Sequence, residues 1–384
     1  YKKPGYVIID GTKYSFTSNF NPNATTTGSQ VIFTKTVDVK HNADGSKTLA
    51  YSGSYTTGVS SGTITASGSK VLTTIPRQAN LTAAPNFNDE GNPAITYSNP
   101  AGTAATSLQA CIASVDGQTI YVPYRDIDKT GTSYTFNLTT AERNTLRNAT
   151  PNSNTMKVKF YVKTVIGTNT FYSSLEKTLT IVNNKPTLNP VVKDAGTAST
   201  ALTGDVNKII KAHNYVSVNS GGSALKGASI KSQKITCGNA IINAGSGAFT
   251  NVESASFVFT ITDSRGNTTT QTVNKTLIPY VNLTCNMNTL ATIDGKITIN
   301  IKGNYFNGSF GAVANTLAVE YRFKENHGEF GAWIPITATL SGNTYAATAT
   351  ITGLDYRKTY VVQARAADKI YNISTQEKKV KAVP

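Results

Sequence analysis

The chain has 384 residues, with 36 Lys and Arg against 21 Asp and Glu, and only 15% of its residues are charged. No apolar run approaches the roughly 18 residues that a membrane-spanning helix needs, so the sequence predicts no membrane span. Abundant Thr, Tyr, Val and Ile favour strands over helical bundles, because branched and aromatic side chains suit a pleated surface. Three His and three Cys leave little material for metal or nucleophile chemistry.

The net charge of +15 is spread along the chain. Four successive segments carry +5, +1, +5 and +4, and their ranges are 1–77, 78–182, 183–279 and 280–384. The densest group, Lys378, Lys379 and Lys381, is more typical of a solvated strand edge than of a phosphate site. A diffuse positive field favours approach to polyanionic cell-wall polymers but identifies no partner, and we expect no nucleic-acid ligand.

The first predicted element is a β-hairpin. Residues 31–39 alternate between apolar and polar side chains, and an Asp-Gly turn at 41–46 leads into a second run that ends at Tyr55. Period-two alternation around such a turn indicates two paired strands with one buried face. The Ile75–Pro76 step marks the exit from this first domain, because Pro cannot donate a hydrogen bond to a neighbouring strand. We expect a β-sandwich over residues 1–77, with a carbohydrate-binding-like module as an alternative role for it.

The second segment, residues 78–182, contains the one predicted helix. Strands are expected at 107–115 and 119–124, and Thr139 with Glu142 then fits a capping box at the start of a helix near 140–149. Pro151 closes that helix. An Ig-like domain is expected here.

Alternation also predicts strands in residues 183–280 and 281–384. In the third segment a run ending at Ile261 precedes a turn at 263–267, and Pro279 marks the exit; the fourth has runs ending at Ile301, Phe323, Ile351 and Ala366. The expected fold class is all-β: tandem Ig-like or fibronectin type III-like sandwiches with one short helix. Leu354 and Tyr360 have the spacing of a tyrosine corner, in which the phenol bonds to upstream backbone, so the last domain is expected to be fibronectin type III-like.

A wider set of motifs resembles a known family. These motifs occur in order at 41–48, 72–77, 141–153, 226–228 and 262–267. Together they resemble minor structural tail proteins of siphophages that infect Gram-positive bacteria, chiefly streptococci. The resemblance implies a bacteriophage virion component at the distal end of the tail, in a fibre or tip that meets the host surface, assembled in the host cytoplasm. It implies no catalytic residue.

Residue types that carry chemistry are scattered. His41, His213 and His327 lie in different segments, whereas a metal or catalytic site needs convergent donors. Part of a calcium loop at residues 42–45 lacks its remaining carboxylates and is better explained by the hairpin turn. Cys111, Cys237 and Cys285 are expected to be buried and reduced.

Two further patterns have alternative interpretations. Asp89 with Glu90, and Asp126 with Asp128, could be glycosidase carboxylates, but neighbours on a turn rarely face one cleft. Trp333, with Phe330 and Tyr321 nearby, could form a sugar-binding platform, although covering the sheet or core is the expected role. We therefore expect no enzyme activity, no cofactor, and no catalytic, metal or cofactor-binding residue.

The leading functional hypothesis is a non-enzymatic tail fibre or tail-tip protein that acts as spacer and adaptor in host attachment. Its expected partners are other phage tail proteins, further copies of itself, with a trimer favoured, and host cell-wall polysaccharide or teichoic acid. The alternative is a bacterial cell-surface adhesin with Ig-like repeats. An adhesin would carry an export signal and a wall-anchoring motif in its full-length sequence.

Overall fold

The structure is a computed structural model that describes residues 3–17, 31–56, 62–292 and 294–384. The chain divides into two compact units, Tyr1–Asn183 and Asn184–Pro384. Antiparallel sheets dominate both units, so the predicted all-β class is confirmed. Among the residues so described, neither α-helix is long and apolar enough to cross a bilayer.

The first unit begins with one antiparallel sheet of four strands in the order β2-β1-β3-β4. The strands are β1 (Pro4–Ile9), β2 (Thr12–Thr17), β3 (Thr48–Thr56) and β4 (Thr63–Val71). No hydrophobic side chain in ranges 3–17, 31–56 and 62–77 is fully buried, and every residue of β4 is exposed. The described part of residues 1–77 is therefore a single sheet, where a two-sheet sandwich was expected.

The hairpin predicted from the alternation of residues 31–39 does not form. Those residues make no strand. They cannot pair with β3 as predicted, because β3 already pairs with β1 on one side and β4 on the other. Phe33 instead stacks on Phe16 of β2, with ring centroids 4.6 Å apart. The predicted turn is present: the Gly45 N–H donates to the Asn42 carbonyl.

The rest of the first unit is an Ig-like sandwich. Its sheets run β10-β7-β5 and β6-β12-β11-β8-β9. Its elements are β5 (Asn80–Ala83), β6 (Phe87–Asn88), β7 (Ala94–Ser98), a 3₁₀ turn (Gly102–Ala104), β8 (Ser107–Ala113), β9 (Ile120–Asp126), β10 (Ser133–Thr135), α1 (Thr140–Asn148), β11 (Thr155–Ile166) and β12 (Asn169–Thr180). Phe136, Leu146 and Phe160 are fully buried in its core.

The predicted capping box of α1 is confirmed. The Thr139 side chain accepts a hydrogen bond from the Glu142 N–H over 3.3 Å, and the Glu142 carboxylate accepts one from the Thr139 N–H over 2.8 Å. These bonds satisfy N–H groups that lack partners within the helix. Leu146 turns inward and anchors the helix on the sandwich.

The second unit begins with a sandwich that has sheets β13-β15-β18, β14-β21 and β17-β16-β19-β20. Its elements are β13 (Val191–Asp194), α2 (Thr197–Thr203), β14 (Lys208–Ile210), β15 (Tyr215–Asn219), β16 (Ile230–Cys237), β17 (Ala240–Ile242), β18 (Ser246–Thr250), β19 (Ser256–Asp263), β20 (Thr268–Asn274) and β21 (Thr276–Ile278). The helix α2 corrects the expectation of one helix. Its sequence has a low intrinsic helix propensity, because it is rich in Thr, and its first turn has no side-chain cap. The helix ends at Gly204, whose φ is +65°.

The last sandwich has sheets β22-β23-β27-β26 and β25-β24-β28-β29, with β30 also paired to β28. Its strands are β22 (Asn286–Thr292), β23 (Lys296–Asn304), β24 (Ala318–Glu325), β25 (Ile334–Ile336), β26 (Thr339–Ser341), β27 (Thr344–Ile351), β28 (Thr359–Ala367), β29 (Asn372–Ser374) and β30 (Lys378–Lys381). The tyrosine corner is present, since the Asp355 N–H donates to the Tyr360 phenol oxygen over 2.9 Å.

Candidate functional site

The three histidines lie in three separate parts of the fold. His41 Nδ1 lies 2.8 Å from the Gly45 carbonyl, within the turn. His213 Nε2 lies 3.0 Å from the Asn282 side-chain oxygen, and His327 adopts a left-handed φ of +72° after β24. Within the described ranges, no three His, Cys, Asp or Glu side chains are arranged to hold a metal ion.

The paired carboxylates form hydrogen bonds within the Ig-like sandwich of the first unit. Asp89 is fully buried and binds Arg147 Nε over 2.6 Å and the Val182 N–H over 2.9 Å. Asp126 accepts from Gln109, and Asp128 accepts from the N–H and hydroxyl of Thr130. Each carboxylate thus satisfies a neighbour in the fold, which differs from two carboxyl groups facing an open cleft.

The three cysteines are free thiols. Cys111 and Cys237 are buried, as expected, whereas Cys285 is half-buried. Burial raises the pKa of all three thiols, which disfavours the nucleophilic thiolate.

Trp333 lies in a cluster of cations and aromatic rings on the outer face of the last sandwich. The guanidinium groups of Arg322 and Arg365 each lie 4.4 Å from the Trp333 ring centroid. Arg322 also lies 4.3 Å from the Phe330 ring, and the Lys324 ammonium lies 4.5 Å from it. Cations thus already contact both rings, so the rings are less available to stack on a sugar. Tyr321, in contrast, belongs to the core on the other side of β24.

Hydrogen bonds hold the two arginines in place. Arg322 donates through Nε and Nη2 to the Gln363 side-chain oxygen, over 3.0 and 2.7 Å. Arg365 donates through Nε to Glu320 over 2.5 Å, and its side chain remains 29% exposed. The strand register explains these pairs, because Arg322 lies opposite Gln363, and Glu320 lies opposite Arg365. Neither arginine was predicted from the sequence as a site residue. A signal was present, because Arg322 lies two residues from Lys324 and Arg365 lies two residues from Gln363, and such spacing puts each pair on one face of a strand.

The same outer face continues onto β30. Lys379 pairs with Val361 of β28 and Lys381 pairs with Thr359, which places both lysines on the side that carries Arg365. Both are exposed. At the strand positions of this face, five cations accompany one acid: Arg322, Lys324, Arg365, Lys379 and Lys381 with Glu320. We call this surface the cationic face.

A second feature joins the two sandwiches of the unit Asn184–Pro384. Tyr280, Phe306 and Phe310 pack in a buried cluster with ring centroids 5.4–5.8 Å apart. The Ala312 N–H donates to the Thr203 carbonyl, and a Cβ on Gly311 would lie 2.7 Å from that same oxygen. The chain near Pro279, where the sequence predicted the exit from a domain, is therefore part of a packed junction.

A cleft of about 410 Å³ opens beside this junction. Its lining includes His213, Tyr215 and Lys369. Asp194 is not part of this lining; it is 1% exposed and accepts hydrogen bonds through Oδ1 from the N–H groups of two lining residues, Gly196 and Tyr215. The cleft thus combines a few polar groups with the apolar side chains of Leu202 and Ile370.

Comparison with solved structures finds multidomain Ig and fibronectin proteins. A chain from the crystal structure of Dpr2 Ig1–Ig2 in complex with DIP-Theta Ig1–Ig3 is 11% identical, with a TM-score of 0.30, covering 80% of this chain and 99% of that one. A titin fragment of three Ig domains is 8% identical, with a TM-score of 0.35 and coverages of 79% and 98%. The FN1–FN3 domains of chicken CNTN1 are 8% identical, with a TM-score of 0.21 and coverages of 80% and 98%. Likeness at this level carries no argument about function.

No curated protein matches the chain at a significant level. Residues 1–305, in contrast, match the model of a family described as "Siphovirus protein of unknown function (DUF859)". That match covers more than half of the 384 residues. It confirms the siphophage part of the resemblance. The chain belongs to this siphovirus protein family.

Proposed function

We propose that the protein is a non-enzymatic structural component of a siphophage tail, in a fibre or tip, where it acts as spacer and adaptor in attachment to a Gram-positive, streptococcal-type host. The observation that carries the proposal is the packed junction around Tyr280, Phe306 and Phe310. A buried aromatic cluster fixes the angle between neighbouring sandwiches, and a fixed angle suits a part that transmits position along a virion. Membership in a siphovirus family favours this role over a bacterial adhesin.

The settings of the ionisable groups support a role without catalysis. Asp89, Asp126 and Asp128 each bind a neighbouring group of the fold, and the thiols have raised pKa values. Catalytic sites instead bring a nucleophile, a base and an orienting group together in one cleft.

We also propose that the protein assembles as a homotrimer through its N-terminal sheet, next to other tail proteins. Tyr51 and Ile64, which lie on one face of that sheet by register, are 46% and 59% exposed. A sheet that buries so little apolar surface gains little stability on its own. Packing against further copies would bury these side chains, which is the basis of the proposed oligomer.

Immunogold electron microscopy of intact virions tests the location. We expect antibodies against the chain to label the distal end of the tail, whereas labelling confined to the capsid would contradict the proposal. Light scattering on the purified chain tests the oligomer. A trimer is expected, and an Ile64→Lys variant is expected to be monomeric, with Ile241→Lys as a control because Ile241 is 55% exposed on the third domain. A monomeric wild-type chain would refute the trimer alone.

A further inference from the structure

We propose that the cationic face binds a phosphodiester-linked polyol polymer. The proposal rests on the attachment role proposed above, and it names the surface and the ligand chemistry. Five cations against one acid at the strand positions of one sheet face give a local excess of positive charge. The sandwich as a whole is far less biased, since residues 280–384 carry 11 Lys and Arg against 7 Asp and Glu.

The geometry of the cations suits a polymer rather than a small ion. Strands lie about 4.8 Å apart and alternate residues on one face about 7 Å apart, so cations on β24, β28 and β30 spread over roughly 10 Å or more. Arg322 and Lys324 lie on the first of these strands, Arg365 on the second, and Lys379 and Lys381 on the third. A single phosphate can contact only part of this surface. A chain with regularly repeated phosphates can contact several of the cations at once.

The two arginines are preorganised to donate hydrogen bonds to phosphate oxygens. Stacking on Trp333 and bonding to Gln363 and Glu320 fix both guanidinium groups before any ligand arrives. These hydrogen bonds use Nε and Nη2 of Arg322 and Nε of Arg365, which leaves further N–H donors on each guanidinium for a ligand. A planar guanidinium matches phosphate oxygens in a forked geometry, and fixing it beforehand lowers the entropic cost of binding.

The aromatic rings argue against nucleic acids and neutral sugars as the ligand. Nucleic-acid bases bind single-strand-binding surfaces by stacking on aromatic side chains. Here Trp333 and Phe330 already have guanidinium or ammonium groups over their rings. A polyol phosphate needs no ring, because it offers charge and hydroxyl groups. Thr359 and Ser374 lie at positions of the same face by register and supply hydroxyl groups that can bond to those of the polymer.

The test is binding of the purified full chain to synthetic poly(glycerol phosphate), measured by calorimetry over a series of salt concentrations. We expect binding that weakens as salt rises. Lys379→Gln with Lys381→Gln should weaken it about tenfold or more, since each cation near an anionic surface contributes substantially. The matched control is Lys231→Gln with Lys234→Gln, which removes the same charge from exposed positions of β16 and should change affinity less than about twofold.

A second variant separates the forked donors from charge alone. Arg322→Lys with Arg365→Lys keeps the net charge but removes the guanidinium groups, and we expect about tenfold weaker binding with the thermal unfolding of each variant measured alongside. Equal losses in the β16 control, no loss in either cationic-face variant, or equally tight binding of oligodeoxythymidine would each overturn the proposal. Absence of polymer binding overturns this inference and leaves the virion location intact. Polymer binding by a chain that antibodies do not detect on the tail would support the surface and overturn the location.

Discussion

The phenol of Tyr280 donates a hydrogen bond to the Asp368 carboxylate over 2.9 Å, and this bond joins the two sandwiches of the unit Asn184–Pro384. Burial raises the pKa of Tyr280, and the neighbouring Asp368 raises it further, so the phenol keeps its proton at neutral pH. The same carboxylate oxygen accepts from Asn315 over 3.3 Å. One carboxylate of the last sandwich therefore receives donors from both sides of the junction.

Removal of the Tyr280 hydroxyl should weaken this unit. Tyr280→Phe keeps the ring in the buried cluster but leaves Asp368 without its phenol donor, which should lower the free energy of unfolding by about 1–3 kcal/mol. Urea denaturation followed by fluorescence measures the change. Tyr371→Phe is the control, because Tyr371 is 38% exposed and should change stability by less than about 0.5 kcal/mol. Equal effects of the two substitutions would refute the role of the bond.

The tyrosine corner gives a second prediction. Tyr360→Phe removes the oxygen that accepts from the Asp355 N–H, and that backbone donor then loses its partner beside the core. We expect a loss of about 1–2 kcal/mol in the free energy of unfolding, measured by thermal and urea denaturation. Tyr356→Phe is matched in chemistry and lies nearby, but its side chain is 46% exposed and should be nearly neutral. A neutral Tyr360→Phe would mean that water replaces the phenol without cost.

Alternation was sufficient to predict the strands that have one buried face. Buried Ile297, Ile299 and Ile301 alternate along β23, and the spacing of Leu354 and Tyr360 predicted a corner that forms. Each of these signals is local, since inward and outward positions along a strand depend only on parity.

The features that the sequence did not predict correctly depend on contacts that the alternation of inward and outward residues does not encode. Residues 31–39 alternate like a strand, but the edges of β3 are occupied by β1 and β4, which only the sheet order reveals. The helix α2 has no side-chain cap and follows Gly196. The cationic face also requires the register between strands, because Arg322 and Arg365 are distant in sequence and become neighbours only when β24 pairs with β28.

The capping box of α1 predicts a pH dependence. Burial alone would raise the pKa of Glu142, but hydrogen bonds from Thr139 and Arg125 outweigh it and hold the pKa below its usual range. A carboxyl whose pKa is lower in the folded chain than its unfolded value of about 4.3 stabilises the fold above that value. This contribution is lost as the pH falls through the folded pKa.

Glu142→Gln should therefore lower the free energy of unfolding at pH 7 by about 1–2 kcal/mol, and the difference from wild type should shrink at pH 3. Urea denaturation at the two pH values measures it. Glu176→Gln is the control, because Glu176 is 43% exposed and lies 3.6 Å from Lys157, so its effect should stay below about 1 kcal/mol. A pH-independent effect of Glu142→Gln would show that the carboxylate charge does not matter.

Gly45 and Gly11 have nearly the same backbone conformation but different surroundings. Substituting each of them therefore distinguishes the cost of a left-handed conformation from the cost of a steric clash. Gly45 and Gly11 have φ values of +83° and +82°. A Cβ on Gly45 would lie 1.8 Å from the Ile75 carbonyl oxygen, whereas a Cβ on Gly11 would meet nothing within 4 Å. The Ile75 N–H also donates to the Gly45 carbonyl over 3.0 Å, so the turn and the exit segment are in direct contact.

Gly45→Ala and Gly11→Ala should each lower the free energy of unfolding by about 1 kcal/mol, because alanine is disfavoured in the left-handed conformation. Gly45→Ala should lose more, because its Cβ can be accommodated only if the exit segment moves away and the Ile75 hydrogen bond breaks. Limited proteolysis with mass-spectrometric mapping should show faster cleavage at residues 72–78 in Gly45→Ala, with Gly11→Ala close to wild type. Equal cleavage of the two variants at this segment would mean that the turn does not hold the exit segment in place.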